Sequence, residues 1–212
     1  MTLSSHPTDE LLLDKVRGRL PLSAGLVVDA HLMRCPGCRD SVALLTDTAG
    51  AVLSGLPDAR LQPQALPSAL ERLDASPPAA VEPPSPAIHE VELPPLADAF
   101  GFRRWRWVAP GIRLAESHAP SEEGWKTFLL KVAPGRSLPT HGHDGGELVC
   151  VLQGGFTDGE RWFSKGDFAE AEGADTHRLT AARDEVCICI VSTQAPLKWC
   201  GWTRLLQPFI GV

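Results

Sequence analysis

The sequence predicts a two-domain chain in which an all-α bundle of about four helices precedes an all-β jelly-roll barrel. Three observations carry this. Near the N-terminus apolar residues recur at three- and four-residue intervals, the period of one helix face. A cluster of prolines then interrupts the chain. Beyond it the apolar residues gather into short runs bounded by glycine, proline and aspartate, at the spacing of a β-sandwich or barrel.

In the first stretch Leu12, Leu13, Val16 and Leu20 mark the apolar stripe, and Leu22 to Leu32 and Val42 to Leu45 extend the helical pattern. Thr8 followed by Asp9 and Glu10 is a helix start, because a short polar side chain satisfies orphan amides and acids suit the positive end. The helices expected are Asp9 to Leu20, Leu22 to Met33, Arg39 to Thr48 and about Gln64 to Leu73. Between Asp74 and Pro95 stand Pro77, Pro78, Pro83, Pro84, Pro86, Pro94 and Pro95 among few large apolar residues. Proline lacks a backbone donor and fixes φ, so this segment reads as a semi-rigid spacer. Domain limits follow: helices over 1–75, linker over 76–95, barrel over 96–212. Strands are expected in Phe102 to Val108, Thr127 to Val132, Glu147 to Leu152 and Val186 to Val191.

With 212 residues, 43% of them hydrophobic but only 6% aromatic, the chain can bury an aliphatic core. The formal charge of -6 argues against direct nucleic-acid binding, which needs a basic stripe. No segment is apolar for long enough to cross a bilayer, and no basic n-region precedes the first leucines, so a cytoplasmic protein without membrane contact is expected. In a reducing cytoplasm six cysteines, two in a C-x-x-C and two in a C-x-C, suggest metal ligands or reactive thiols.

The first metal constellation is His31-Leu-Met-Arg-Cys35-Pro-Gly-Cys38. On a helix His31 and Cys35 would share a face one turn apart, and a tight turn through Pro36 and Gly37 would bring Cys38 to the same point. Zinc favours such sulfur and imidazole donors in a tetrahedron. A closed site needs a fourth ligand, and His6 is the other histidine of this region. A zinc ion so held would be structural and would contribute folding energy to a small domain. The rival reading, a thioredoxin-like redox pair, requires a βαβ unit that is absent from the pattern.

These residues, His6 and then H-x-x-x-C-x-x-C at His31, Cys35 and Cys38, resemble the zinc-binding anti-sigma domain. That resemblance implies a four-helix unit that wraps a sigma factor of the extracytoplasmic-function type and blocks its access to RNA polymerase. Farther along, Gly135-x5-His141-x-His143-x3-Glu147-x6-Gly154 matches the first cupin motif at every spaced position, and Gly166 with His177 eleven residues later keeps the spacing of the second. Glu172, Ala174 and Ala181 depart from the second motif. On a strand His141 and His143 would point together into a barrel, with Glu147 returned to the same cavity by Asp144-Gly145-Gly146. Three imidazoles and a carboxylate suit zinc or another divalent transition metal. His89 and His118 read as surface histidines.

The two motifs together resemble the ChrR-type zinc-binding anti-sigma factors, in which the anti-sigma domain is fused to a cupin. The resemblance covers essentially the whole chain. It implies a regulator of transcription rather than an enzyme, a 1:1 heterodimer with its sigma factor, and release under oxidative stress such as singlet oxygen. Residues 1 to about 85 are expected to suffice for sigma binding. Cys187 and Cys189, two apart in an apolar run, read first as core residues and second as oxidisable thiols. Cys150, Cys200 and the six tryptophans read as barrel interior. The alternative is a metal-dependent cupin enzyme of dioxygenase or isomerase type, which leaves the helices without a purpose.

Overall fold

The computed structural model describes residues 3–75, 90–142, 144–171, 173, 176–196 and 198–199. Helices α1 (Asp9–Val16), α2 (Leu22–Leu32), α3 (Pro36–Ser54) and α4 (Ala65–Ala75) come first. A short α5 (Pro95–Phe100) leads into strands β1 (Arg106–Ala109), β2 (Ile112–Glu116), β3 (Lys126–Val132), β4 (His141–Gly142), β5 (Glu147–Gln153), β6 (Gly155–Asp158), β7 (Arg161–Ser164), β8 (Phe168–Ala171), β9 (Leu179–Ala181), β10 (Cys187–Thr193) and β11 (Lys198–Trp199). A helical N-terminal region therefore precedes a β-sheet barrel, as expected. Most of the proline segment, together with His89, His143, Glu172, Ala174, Cys200 and Trp202, lies outside the described residues.

The helix boundaries differ from expectation for local reasons. Thr8 does cap α1, accepting from the Leu11 amide at 3.3 Å, but the helix stops at Val16 because Gly18 takes φ +66°. Pro36 and Gly37 are not a tight turn: they open α3, with Pro36 in the first turn and the Cys35 side chain capping the Cys38 amide. Cys35 is thus extended (φ -101°, ψ 103°) and does not share a helix with His31, although its amide still bonds to the His31 carbonyl at 3.0 Å.

Antiparallel strands form a six-stranded sheet in the order β1-β2-β3-β10-β5-β8, faced by a three-stranded sheet β7-β6-β9, with β11 and β4 paired separately. The long strands bury both faces. In β10, Cys187, Cys189 and Val191 point to the barrel interior with Phe128, Leu130, Val149 and Val151. Ile188 and Ile190 point the other way and join Leu129, Leu148 and Leu152 against α2. Strands covered on both sides read as continuous apolar runs without alternation. α2 is the cover, and it is correspondingly apolar around most of its surface, with Ala24, Leu26, Val27, Val28 and Ala30 buried together with His31. Each of the larger aliphatic side chains contributes about 1.5–3 kcal/mol by leaving water.

The N-terminal end of α2 is also held by barrel residues. Glu122 accepts from the Leu22 amide at 2.8 Å, Ser23 donates to the Pro120 carbonyl at 2.9 Å, and Thr127 donates to the Ser23 carbonyl at 2.8 Å. Lys15 on α1 pairs with Asp29 on α2 at 2.7 Å. Past the proline segment, Glu92 meets Arg34 and Glu90 meets Lys131.

The tryptophans correct a second expectation. Trp107 and Trp162 are exposed, and Trp105 and Trp125 pack on the helix side of the sheet rather than inside the barrel. Trp107 lies on the edge strand β1, where the Arg113 guanidinium covers its ring at 4.1 Å. His118 is exposed, as read from the sequence.

Candidate metal centres

Three elements converge on the first cluster. His6 belongs to the extended segment before α1, His31 ends α2, Cys35 caps α3 and Cys38 lies in its first turn. His6 Nδ1 lies 3.4 Å from His31 Nε2, 3.4 Å from Cys35 Sγ and 3.5 Å from Cys38 Sγ, and His31 Nε2 lies 3.3 Å from Cys38 Sγ. One ligand atom from each residue falls within 4.8 Å of all the others. His31, Cys35 and Cys38 are buried and His6 is exposed. Burial holds the His31 imidazole below its ordinary range, against the pull of the Gly166 carbonyl. Burial and the neighbouring Cys35 push the Cys38 thiol up to about 12. Without an ion the cluster therefore keeps a neutral imidazole and a protonated thiol, and a cation enters by displacing protons.

The His31 tautomer is set from the barrel. Its Nδ1–H donates to the Gly166 carbonyl at 2.7 Å, which leaves Nε2 for the cluster. Gly166, in the turn between β7 and β8, adopts φ +95°, and a Cβ there would stand 2.8 Å from a Leu3 methyl. The second-motif glycine is thus required by its backbone conformation, with the N-terminal segment packed closely against it.

The second cluster lies at one end of the barrel. His141 is on β4, Glu147 opens β5, and His177 pairs with His141 through backbone bonds of 2.9 and 3.1 Å. His141 Nδ1–H donates to the Pro139 carbonyl at 2.8 Å, and the two imidazoles sit 4.5 Å apart between centroids. His177 Nε2 stands 3.5 Å from Glu147 Oε2, while its Nδ1–H donates to Asp158 at 3.1 Å. Burial, with Asp158 adding, pushes the Glu147 carboxyl up to about 8. Ligand atoms of His141, Glu147 and His177 lie within 4.8 Å of one another. Behind them runs an apolar cavity lined by Ile112, Phe128, Leu130 and Val149, among others, with Cys187 and Cys189 also in its wall. Those two thiols are 3.6 Å apart, and their contact, with burial, holds Cys189 well above the ordinary range.

Seven of the eight residues read from the sequence are thus described, in clusters of four and three. Asp158 and the carbonyls of Pro139 and Gly166 were missed. Asp158 sits beside a glycine and reads as turn chemistry, and a carbonyl has no sequence signature.

A helical region with a His2Cys2 cluster that could hold a metal ion, packed on a cupin-like barrel with a His/Glu cluster, defines a two-part architecture. Residues 99–196 match the family model described as the ChrR cupin-like domain. Over 219 aligned positions the chain is 33% identical to the anti-sigma-E factor ChrR of Cereibacter sphaeroides, with 100% of both chains covered. It also resembles the crystal structure of Rhodobacter sphaeroides SigE in complex with the anti-sigma ChrR, with a TM-score of 0.73 and 32% identity over 91% of this chain and 99% of that one. The chain belongs to the ChrR family of anti-sigma factors. That membership places it among transcription regulators rather than cupin enzymes. Among the described residues no helix is long and apolar enough to cross a membrane.

Proposed function

We propose that this protein binds and inhibits a sigma factor of the extracytoplasmic-function type in the cytoplasm, as a 1:1 heterodimer, and releases it under oxidative stress such as singlet oxygen. One observation carries the partner reading. α4 has no buried residue, and its Leu66, Leu70 and Leu73 recur at helical spacing on an exposed face. With Leu44, Val52 and Leu53 on α3, these side chains are between 51% and 71% exposed. So many exposed aliphatic side chains on two helices mark a protein-binding surface, and the relative that shares this architecture is a ChrR seen in complex with SigE. Residues 1–75 are the sigma-holding part, 76–95 the linker and 96–212 the sensing cupin.

His6, His31, Cys35 and Cys38 hold zinc. A tetrahedron at ordinary Zn–N and Zn–S bond lengths has N–N edges of about 3.3 Å and N–S edges of about 3.5 Å, and the separations of 3.3 to 3.5 Å in the cluster agree. Zinc here joins the N-terminus to α2 and α3. In the barrel, His141, Glu147 and His177, with His143 as the fourth ligand, hold zinc or another divalent transition metal, whose chemistry would be to bind or react with the oxidant.

The test is a tagged pull-down from the native host without oxidant, read by mass spectrometry. A sigma factor in stoichiometric amount is expected. A folded, zinc-loaded protein that retains none overturns the proposal.

A further inference from the structure

The barrel reaches into the helical metal cluster at two points, and one buried carboxylate controls both. Asp167, 1% exposed, lies in the β7–β8 turn. Its Oδ1 accepts from the amides of Ser4 at 2.7 Å and Ser5 at 3.1 Å, the two residues that precede His6. The Phe168 amide donates to the Ser5 carbonyl at 3.0 Å, so the N-terminal segment is tied to the start of β8 from both sides. Its Oδ2 accepts from the amide and the hydroxyl of Ser164, both at 2.8 Å, which closes the turn that presents the Gly166 carbonyl to His31. Among the described contacts of this cluster, no residue of the first 75 offers an alternative anchor for the His31 Nδ1–H.

We infer that the barrel supplies the outer ligand sphere of the helical metal site, with Asp167 as the positioning residue that aims both His6 and His31. An imidazole presents one nitrogen to an ion in a fixed direction only when its other nitrogen is held, and a ligand on an extended segment is held only when that backbone is. Both requirements are met from residues 164 to 168. The inference rests on reading His6, His31, Cys35 and Cys38 as a metal site, and it adds that two of these four residues are oriented by groups of the barrel.

The test uses the full-length chain loaded with Co²⁺. Thiolate-to-cobalt charge transfer reports the helical site alone, because the barrel cluster has no sulfur ligand, and the energy and intensity of that band report its geometry. Competition with a chelator then measures affinity. Asp167→Asn keeps the shape but replaces an acceptor pair by an amide, and affinity read from that band is expected to fall about 10- to 100-fold with an altered charge-transfer spectrum. Ser164→Ala, which removes one of the four bonds, gives a smaller loss in the same direction. Leu114→Ala, in the barrel interior away from the turn, destabilises the chain but retains the wild-type cobalt spectrum and affinity. An Asp167→Asn chain with wild-type spectrum and affinity overturns the inference, as does a Leu114→Ala chain that loses as much. If Asp167→Asn does not fold, Ser164→Ala decides, and affinity within about twofold of wild type counts against the proposal. A wild-type chain without the charge-transfer band removes the metal reading itself, an outcome distinct from a failure of the positioning role.

Discussion

His177 donates through Nδ1 to the Asp158 carboxylate across 3.1 Å, so its other nitrogen is turned toward Glu147. A carboxylate behind a ligating imidazole fixes its tautomer and raises its basicity. We predict that Asp158→Asn lowers the barrel's metal affinity about 10- to 100-fold, measured by equilibrium dialysis against a competing chelator. Unchanged affinity would show that the backbone pairing of His177 with His141 is enough to aim the ring.

Barrel metal binding should also depend on pH in a defined sense. The buried Glu147 carboxyl titrates near 8 without an ion, so below that value a metal must displace a proton. Affinity is expected to rise with pH, by up to about tenfold per unit from this one group, and to level off above about 8. Isothermal titration from pH 6.5 upward checks the sign. A flat profile over that range would mean that Glu147 is not a ligand.

The exposed leucines of α4 separate binding from stability. Leu66→Ala with Leu70→Ala removes side chains that are exposed in the free chain, so stability should change by about 0.5 kcal/mol or less per site. Retention of the sigma factor should fall at least about tenfold if the pair forms part of a buried hot spot. Equal retention by both chains would direct attention away from α4.

The shared core makes a thermodynamic prediction. α2 and the outer face of β3, β5 and β10 bury the same residues, so helices and barrel should melt in one transition. Ile190→Ala, at the interface with α2, should cost about 2–5 kcal/mol and shift circular dichroism and tryptophan fluorescence together. Separate transitions for the two signals would refute the coupling.

Local pattern carried much of this protein. The capping Thr8, the His31/Cys35/Cys38 spacing and the Gly135-to-Gly154 cupin pattern are all short-range relations, and short-range relations survive in a linear string. Where expectation failed locally, the cause was a competing short-range signal. Pro36 after a thiol that can cap is as good a helix opening as it is a turn, and Gly18 ends α1 although Leu20 continues the apolar period. Strands β6, β7, β8 and β9 are only three or four residues long, too short for a period to emerge.

By itself, then, the sequence determined the two fold classes, their order, the residue types at both candidate metal clusters and the family resemblance. Only the tertiary structure decided that α2 covers the barrel sheet, that Asp158 stands behind His177, and that Asp167 and the Gly166 carbonyl stand behind His6 and His31. The physical reason is common to all three. Candidate ligands such as His31, Cys35 and Cys38, or His141, His143 and Glu147, stand close together in the chain, whereas these orienting groups are backbone carbonyls or carboxylates brought in from distant segments by packing. Such groups leave no periodic trace in the chain that carries them.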